Sequence, residues 1–422
     1  MNRSWVLGRS SFIGATEIWI VPTVAIASLL LSRALLVVVL LFIFYRLFQW
    51  WKRGVLSVRT PIDSSILLLV GTIPVTFWAT VQPEITHLQV YRLLSGISVL
   101  YCFVNGLPSR LSLRYCLGTI TLVGIGLALL APFTVEWITD KFSFLPLFLY
   151  TAVPFFSTSQ IHPNVIAGTL ALLLPVFTSL LLFGWRELTK LEKSLYGVAI
   201  AFMGVILLFT QSRGALTGVI VAILVLFFLY WRRGWQVILL MLGALFLIVA
   251  YRGKLDIFVD STALTTVRGW AGRQEIWSRA LAIIHDFPLT GIGMGNFGLV
   301  ADTFYPFLYA APGQTPHAHN LFLQIAVDLG IPGLIIWLSI LFNILVLSCQ
   351  LLIRGRLVND CLLTGLGAGL LCSQLLLIIH GLTDAVLWGT KPAVILWALW
   401  GVALVATNLS QPSSPAVSAK TA

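Results

Sequence analysis

The sequence predicts an all-α polytopic membrane protein of about twelve transmembrane helices, with one large outer (periplasmic) loop carrying amphipathic helices. Three observations carry that prediction. Of 422 residues, 59% are hydrophobic and only 10% charged, and mean hydropathy is +0.97; a soluble domain carries roughly 25% charged residues. Apolar runs long enough to cross a hydrocarbon core of roughly 30 Å recur along the chain. They lack the period-two alternation of membrane barrel strands, so the spans read as helices.

In chain order the spans fall at about 14–32, 34–50, 64–82, 88–107, 113–133, 164–184, 195–211, 215–231, 235–251, 331–353, 359–380 and 386–408. The organisation expected is a bundle of nine helices over 1–251, a loop over 252–330 and three further membrane helices over 331–408. The tail, 409–422, is rich in Ser, Pro and Ala and reads as disordered and cytoplasmic. The first apolar run lacks a small-residue cleavage site and is followed by another span, so no cleavable signal is expected. With both termini cytoplasmic, inner loops and termini hold 16 of the 26 Lys and Arg. Outside the long loop the ratio is 16 inner to 5 outer, as the positive-inside rule requires. The net charge of +11 therefore sets topology and excludes nucleic acid as the partner it would otherwise suggest. Cys102, Cys116, Cys349, Cys361 and Cys372 sit irregularly inside apolar spans and read as small core hydrophobes.

Two outer loops are long. One runs from Ala131 to Pro163; the other, from Arg252 to about Gly330, is large enough for structure of its own. Within it Ile276, Trp277, Ala280, Leu281 and Ile284 recur at helical spacing, and Glu275 and Arg279 are placed to pair at i,i+4. Pro288 stops that helix. A second candidate, His319–Leu329, sets Leu321, Phe322, Ile325 and Leu329 against a polar stripe of Asn320, Gln324 and Asp328, until Gly330 and Pro332 break it. Gly291, Gly293 and Gly295 lack the spacing and strand–helix–strand context of a dinucleotide site, and are expected to shape a turn joining the two helices.

The same loop concentrates Arg268, Arg273, Arg279, His317 and His319, and charges at a membrane are costly to keep unless used. Arg213, between two apolar spans, must sit near the outer boundary; it is either a snorkelling helix-end arginine or, with Gly214 opening the next helix, part of an anion site. Arg273 has no obvious carboxylate partner and suits a diphosphate, because a guanidinium fork donates two hydrogen bonds and stays charged; Arg268 is a further candidate. For His317 and His319 the readings open are a general base, a metal pair and a packing or capping histidine. A metal pair needs a third ligand, and His285, Asp286 and Asp302 show no recognised ligand spacing, so no metal is expected. His319 is the preferred base, since Asn320 and Gln324 follow on a polar stripe. Asn164 is either a helix cap or a further cavity residue, and Gln211 is a supporting candidate beside Arg213.

SRGA at the end of a span, then GRQEIW, then PxxGIGMGNF, then HNLFLQxxxDxGIPG together resemble the O-antigen ligase and polymerase superfamily. His319, followed ten residues later by Gly330, is similar to the ligases' histidine–glycine pattern, and the resemblance covers Pro163 to Ile353. It implies a metal- and cofactor-independent glycosyltransferase of the bacterial inner membrane. Such an enzyme moves a glycan from undecaprenyl diphosphate to an acceptor such as the lipid A core of lipopolysaccharide. Carried over, Arg213 and Arg273 would hold the diphosphate and His319 would activate the acceptor hydroxyl or support the site. The superfamily also includes polysaccharide polymerases, protein O-glycosyl ligases and relatives proposed to handle bicarbonate. A transporter, the reading from another class, would favour ionisable groups at the midplane and inverted repeats. Here Glu17 is the main such group and no repeat is visible. The shared-site expectation is that Arg213, Arg273 and His319 line one cavity.

Overall fold

The computed structural model describes residues 35–54, 56–106, 109–137, 148–151, 161–231, 270–308, 313–385 and 387–410, with helical positions 236, 239 and 243. The expected spans 14–32 and 235–251, the tail beyond 410, and Arg268 lie outside the described residues, apart from those three positions.

The chain is an all-α polytopic membrane protein. Its helices are α1 (Leu35–Arg53), α2 (Asp63–Gly71), α3 (Ile73–Ala79), α4 (Pro83–Asn105), α5 (Arg110–Thr134), α6 (Phe148–Thr151) and α7 (Pro163–Gly184). They continue with α8 (Lys190–Phe209), α9 (Arg213–Tyr230), α10 (Trp270–Asp286), α11 (Phe297–Phe304), α12 (Leu321–Leu357), α13 (Cys361–Gly381) and α14 (Ala393–Ser410). Among the described residues eight helices are long and apolar enough to cross a membrane: α4, α5, α7, α8, α9, α12, α13 and α14. The stretch expected as one span over 64–82 is two short helices divided at Thr72. Pro74 opens the second, where its missing N–H costs nothing, whereas inside a continuous helix it would cost a hydrogen bond.

Between membrane helices burial in lipid supplies no drive to associate, so close backbone approach does. Helix α13 illustrates this: a Cβ on Gly369 would lie 2.7 Å from Val176 Cα of α7, and one on Gly367 2.8 Å from Leu352 Cα of α12. Around this layer the core holds Trp337, Trp400, Phe177 and Tyr196, all fully buried. A smaller core joins α10 and α11 through Ile276, Ile283, Phe297 and Val300, with Ala318 and Val327 behind them.

Helix α12 runs 37 residues but breaks at Gly330, whose φ is 73°. A Cβ there would also lie 2.6 Å from the Leu289 carbonyl carbon, so glycine is required twice over. Gly291, Gly293 and Gly295 all have positive φ, and Ile292 N–H donates to Val327 O at 2.9 Å, tying the glycine turn to α12.

The two ends of the bundle differ in chemistry. At one, Arg110 bridges Glu187 (3.2 Å) and Asp360, while Arg114 pairs with Glu192 at 2.9 Å. Asp360 also caps α13, accepting from Leu363 N–H at 2.9 Å. At the other end the starts of α7, α9 and α12 meet the end of α13, and there the candidate residues gather.

Candidate active site

The site is built around the 382–392 loop, which follows α13. Leu382 O accepts from Asn320 Nδ2 at 3.2 Å, and Thr383 O accepts from Arg273 Nη1 at 2.5 Å. Asp384 Oδ2 accepts from Asn164 Nδ2 at 2.6 Å, and Gly389 O from Arg92 Nη1 at 2.6 Å. In return, Trp388 Nε1 of the loop donates to Asp328 Oδ2 at 2.7 Å. A polar loop buried against apolar helices needs such partners for its backbone and side chains.

Asp384, 3% exposed, faces both histidines. Its Oδ1 lies 3.0 Å from His317 Nε2 and 3.4 Å from His319 Nδ1, and accepts from Ala385 N–H at 2.8 Å. Burial alone would push the Asp384 carboxyl up, but the hydrogen bond from His317 and the neighbouring His319 outweigh it and hold it well below the usual carboxylate range. The imidazoles lie 4.2 Å apart, tilted by 51°. His319 has φ of 46°, left-handed for a non-glycine residue, which costs roughly 1–2 kcal/mol. It precedes Asn320, whose side chain caps α12 by accepting from Phe322 and Leu323 N–H at 3.0 and 3.1 Å. Burial lowers the His319 pKa, as do His317 and Arg273, while Asp384 pulls it up.

Arg213 is the first residue of α9. Gly214, next to it, packs against the Thr383 side chain, and a Cβ there would sit 3.1 Å from the His380 ring. Arg273 projects from α10 to the same loop. Burial works against its charge, Asp384 supports it and Arg213 opposes it, so the two guanidinium groups are close enough to repel. An anion between them would relieve that repulsion. Arg279 faces Glu275 at 3.5 Å, as its spacing predicts.

The supporting residues divide. Asn164 and Asn320 bind the loop directly. Gln324 works behind the histidines: its Oε1 accepts from Ala318 N–H at 2.7 Å and its Nε2 donates to Asp328 Oδ1 at 2.9 Å. That fixes the peptide between His317 and His319. Gln211, buried with φ of 51°, donates to Tyr150 Oη at 2.9 Å. The cap of α7 is His162, whose Nδ1 accepts from Asn164 N–H at 3.2 Å, so the Asn164 side chain is available for Asp384.

Sequence reasoning missed Asp384, along with Thr383 and His380. One signal was present: Asp384 is the sole acidic residue between Cys361 and Ser410, placed at the end of a span. His317, His319 and Asp384 each bring one ligand atom within 4.8 Å of the others, a third ligand that His285, Asp286 and Asp302 do not supply. His285 instead pairs with Asp286 at 3.1 Å. The three facing groups nonetheless suit a proton relay better than a cation: Asp384 Oδ1 already accepts two hydrogen bonds, and Arg273 and Arg213 add positive charge nearby.

Residues 198–338 match a family model described as O-antigen ligase. No curated protein matches the chain. The matched segment runs from within α8 past the break in α12, and so contains Arg213, Arg273, His317, His319, Asn320, Gln324 and Asp328. Asn164 and Asp384 lie outside it in sequence and reach it through the fold.

Proposed function

We propose that this membrane protein, of O-antigen ligase type, transfers a glycan from undecaprenyl diphosphate to an acceptor sugar, of which the lipid A core is the leading case. The reaction takes place on the periplasmic face of a bacterial inner membrane, with both termini cytoplasmic. The observation that carries the reading is the convergence of Arg213 and Arg273 beside a buried Asp384 that faces His317 and His319.

In this reading the arginines hold the diphosphate. The acceptor hydroxyl oxygen attacks the anomeric carbon, the bond from that carbon to the diphosphate oxygen breaks, and the electron pair leaves with undecaprenyl diphosphate. Positive charge fixed beside the leaving group stabilises the charge that develops there, a contribution that dominates many active sites. The hydroxyl proton passes to the histidine pair, whose imidazoles titrate near neutral pH in ordinary surroundings. No step requires a metal or a nucleotide.

The test is a comparison of cell-envelope glycans in a deletion strain and in the complemented strain, resolving lipopolysaccharide and undecaprenyl-linked material side by side. A ligase leaves bare core, with long polymer stranded on undecaprenyl. Core capped by a single repeat would make the protein a polymerase instead. Unchanged glycans in both pools would overturn glycan transfer to these acceptors and bring forward an inorganic-anion transporter.

A further inference from the structure

We propose that His380 is a binding residue for the leaving diphosphate: its ring N–H donates to a phosphate oxygen held at the start of α9, between Arg213 and Arg273. The assignment rests on the glycan-transfer reading above and adds a third, separate contact to the two arginines. His380 lies outside residues 198–338, so the family match does not supply it.

His380 stands in the last turn of α13 and is 3% exposed. Among the described residues its ring makes no hydrogen bond, and Asp384 and Arg273 act on it only through their charges. Buried polar side chains nearly always have a partner, so an imidazole left open here points to a ligand. Its place is fixed by its own carbonyl, which accepts from Thr383 N–H, Asp384 N–H and Thr383 Oγ1, each at 2.9 Å. The ring edge meets the first turn of α9: a Cβ on Gly214 would lie 3.1 Å from His380 Cδ2, the carbon bonded to Nε2. Glycine at 214 thus lets the imidazole approach the helix backbone. At that turn the N–H groups of Gly214 and Ala215 find no backbone acceptor, and the Ser212 side chain, at the cap position, accepts from neither. The start of this 18-residue helix therefore offers unused donors and partial positive charge, which suit a phosphate.

The surrounding charges fit the same ligand. Arg213 opens α9 and Arg273 reaches across from α10, close enough for the two to repel. Among the described groups that act on the ring, Asp384 alone is negative, and its oxygens already accept from Asn164, His317 and Ala385 N–H. A phosphate oxygen accepts, and a neutral imidazole has one N–H to give, so the contact needs no proton transfer. As the bond from the anomeric carbon to the diphosphate oxygen breaks, charge grows on the diphosphate, and a donor fixed beside it stabilises that charge.

The experiment uses purified full-length protein in detergent, with farnesyl diphosphate as a short isoprenoid diphosphate and inorganic diphosphate as the free ion. Affinity and melting temperature are measured for wild type, H380F and H380Q. H380F keeps a planar ring but removes the donor, whereas H380Q keeps an N–H. We expect H380F to bind farnesyl diphosphate roughly 10–100-fold more weakly at an unchanged or higher melting temperature, the loss typical of a hydrogen bond to a charged group. H380Q should stay close to wild type. Wild-type affinity in H380F, or equal losses in H380F and H380Q, would overturn the assignment. Should H380F unfold, isotope-labelled histidine carries the test: the ring N–H resonance absent from H380Q should shift when farnesyl diphosphate is added, and an unmoved resonance would overturn the assignment. Inorganic diphosphate should bind more weakly; binding as tight as that of farnesyl diphosphate would assign the site to a free anion and overturn the lipid-linked one. The second readout is a membrane transfer assay, in which membranes of the deletion strain supply the lipid-linked glycan and its acceptor to the purified protein. H380F should slow transfer more than H380Q does, and an unchanged rate would overturn its role on the leaving group. Wild-type protein that binds diphosphate but moves no glycan would overturn the transfer reading, a separate result. Wild-type protein that binds no diphosphate would remove the site and this assignment together.

Discussion

Asn164, in the first turn of α7, donates through Nδ2 to Asp384 Oδ2 at 2.6 Å, a hydrogen bond between residues 220 positions apart. Both side chains are buried. The bond closes one side of the carboxylate whose other oxygen meets the histidines. It also joins the first half of the bundle to the loop that organises the site.

Removing that donor leaves a buried carboxylate oxygen unsatisfied, which costs about 1–3 kcal/mol or more for a charged group. N164A should therefore melt at lower temperature in detergent and lose transfer activity, while N164D, setting two carboxylates together, should be worse on both counts. An unchanged N164A melting temperature would mean water replaces the amide.

The arginines make a different prediction. R213A and R273A should each slow transfer by ~10²–10³-fold, the loss seen when one group stabilising a developing anion is removed. Lysine at either position restores charge without the bidentate fork and should recover only part of the rate. EDTA should leave the wild-type rate unchanged. These rates come from the membrane transfer assay; a chelator-sensitive rate would bring back the metal reading of His317, His319 and Asp384.

Acid should weaken the site in two stages. The folded-state pKa of His319 is lowered, chiefly by burial, so an unfolded chain takes up that proton first. The stability it confers is complete above about 6.5, the ordinary histidine value, and falls as pH drops below it. Asp384 is held below its ordinary value, so its contribution persists to lower pH and is lost as pH falls through its depressed folded pKa. Melting temperature recorded against pH should decline below neutrality, and H319Q should flatten the first stage. A profile identical to wild type would remove His319 from the account.

Gly330 is a purely structural test. G330A forces a side chain into a φ of 73°, at about 1–3 kcal/mol, and drives its Cβ against the Leu289 carbonyl. A clear fall in melting temperature is expected, with G126A in α5 as comparison, since Gly126 has no positive φ and a Cβ there would meet nothing within 4 Å.

Local features were legible in the sequence wherever a local pattern caused them. The helical spacing of Ile276, Ala280 and Ile284 became α10, the glycine run became a turn with positive φ, and the Gly330 break appeared where expected. The stretch over 64–82 was misread because its apolar content is continuous while Thr72 and Pro74 divide it. Arg213, Arg273 and His319 could be picked out as candidates because charge stands out in an apolar chain. Asp384 was not, because its meaning comes from contacts with Asn164, His317 and His319, and no periodicity encodes a pairing between distant segments.

The way Asp384 is shared among segments also bears on the protein's biogenesis. Its partners are synthesised long before it, and until the loop after α13 has been made and inserted they face an incomplete cavity. On the proposed reading, a nascent chain holding Arg213, Arg273 and both histidines would be inert until the last hairpin docks and brings in Asp384. Membrane insertion would then double as a safeguard: a partly assembled copy would have the groups proposed to grip the donor but lack the carboxylate proposed to complete the site.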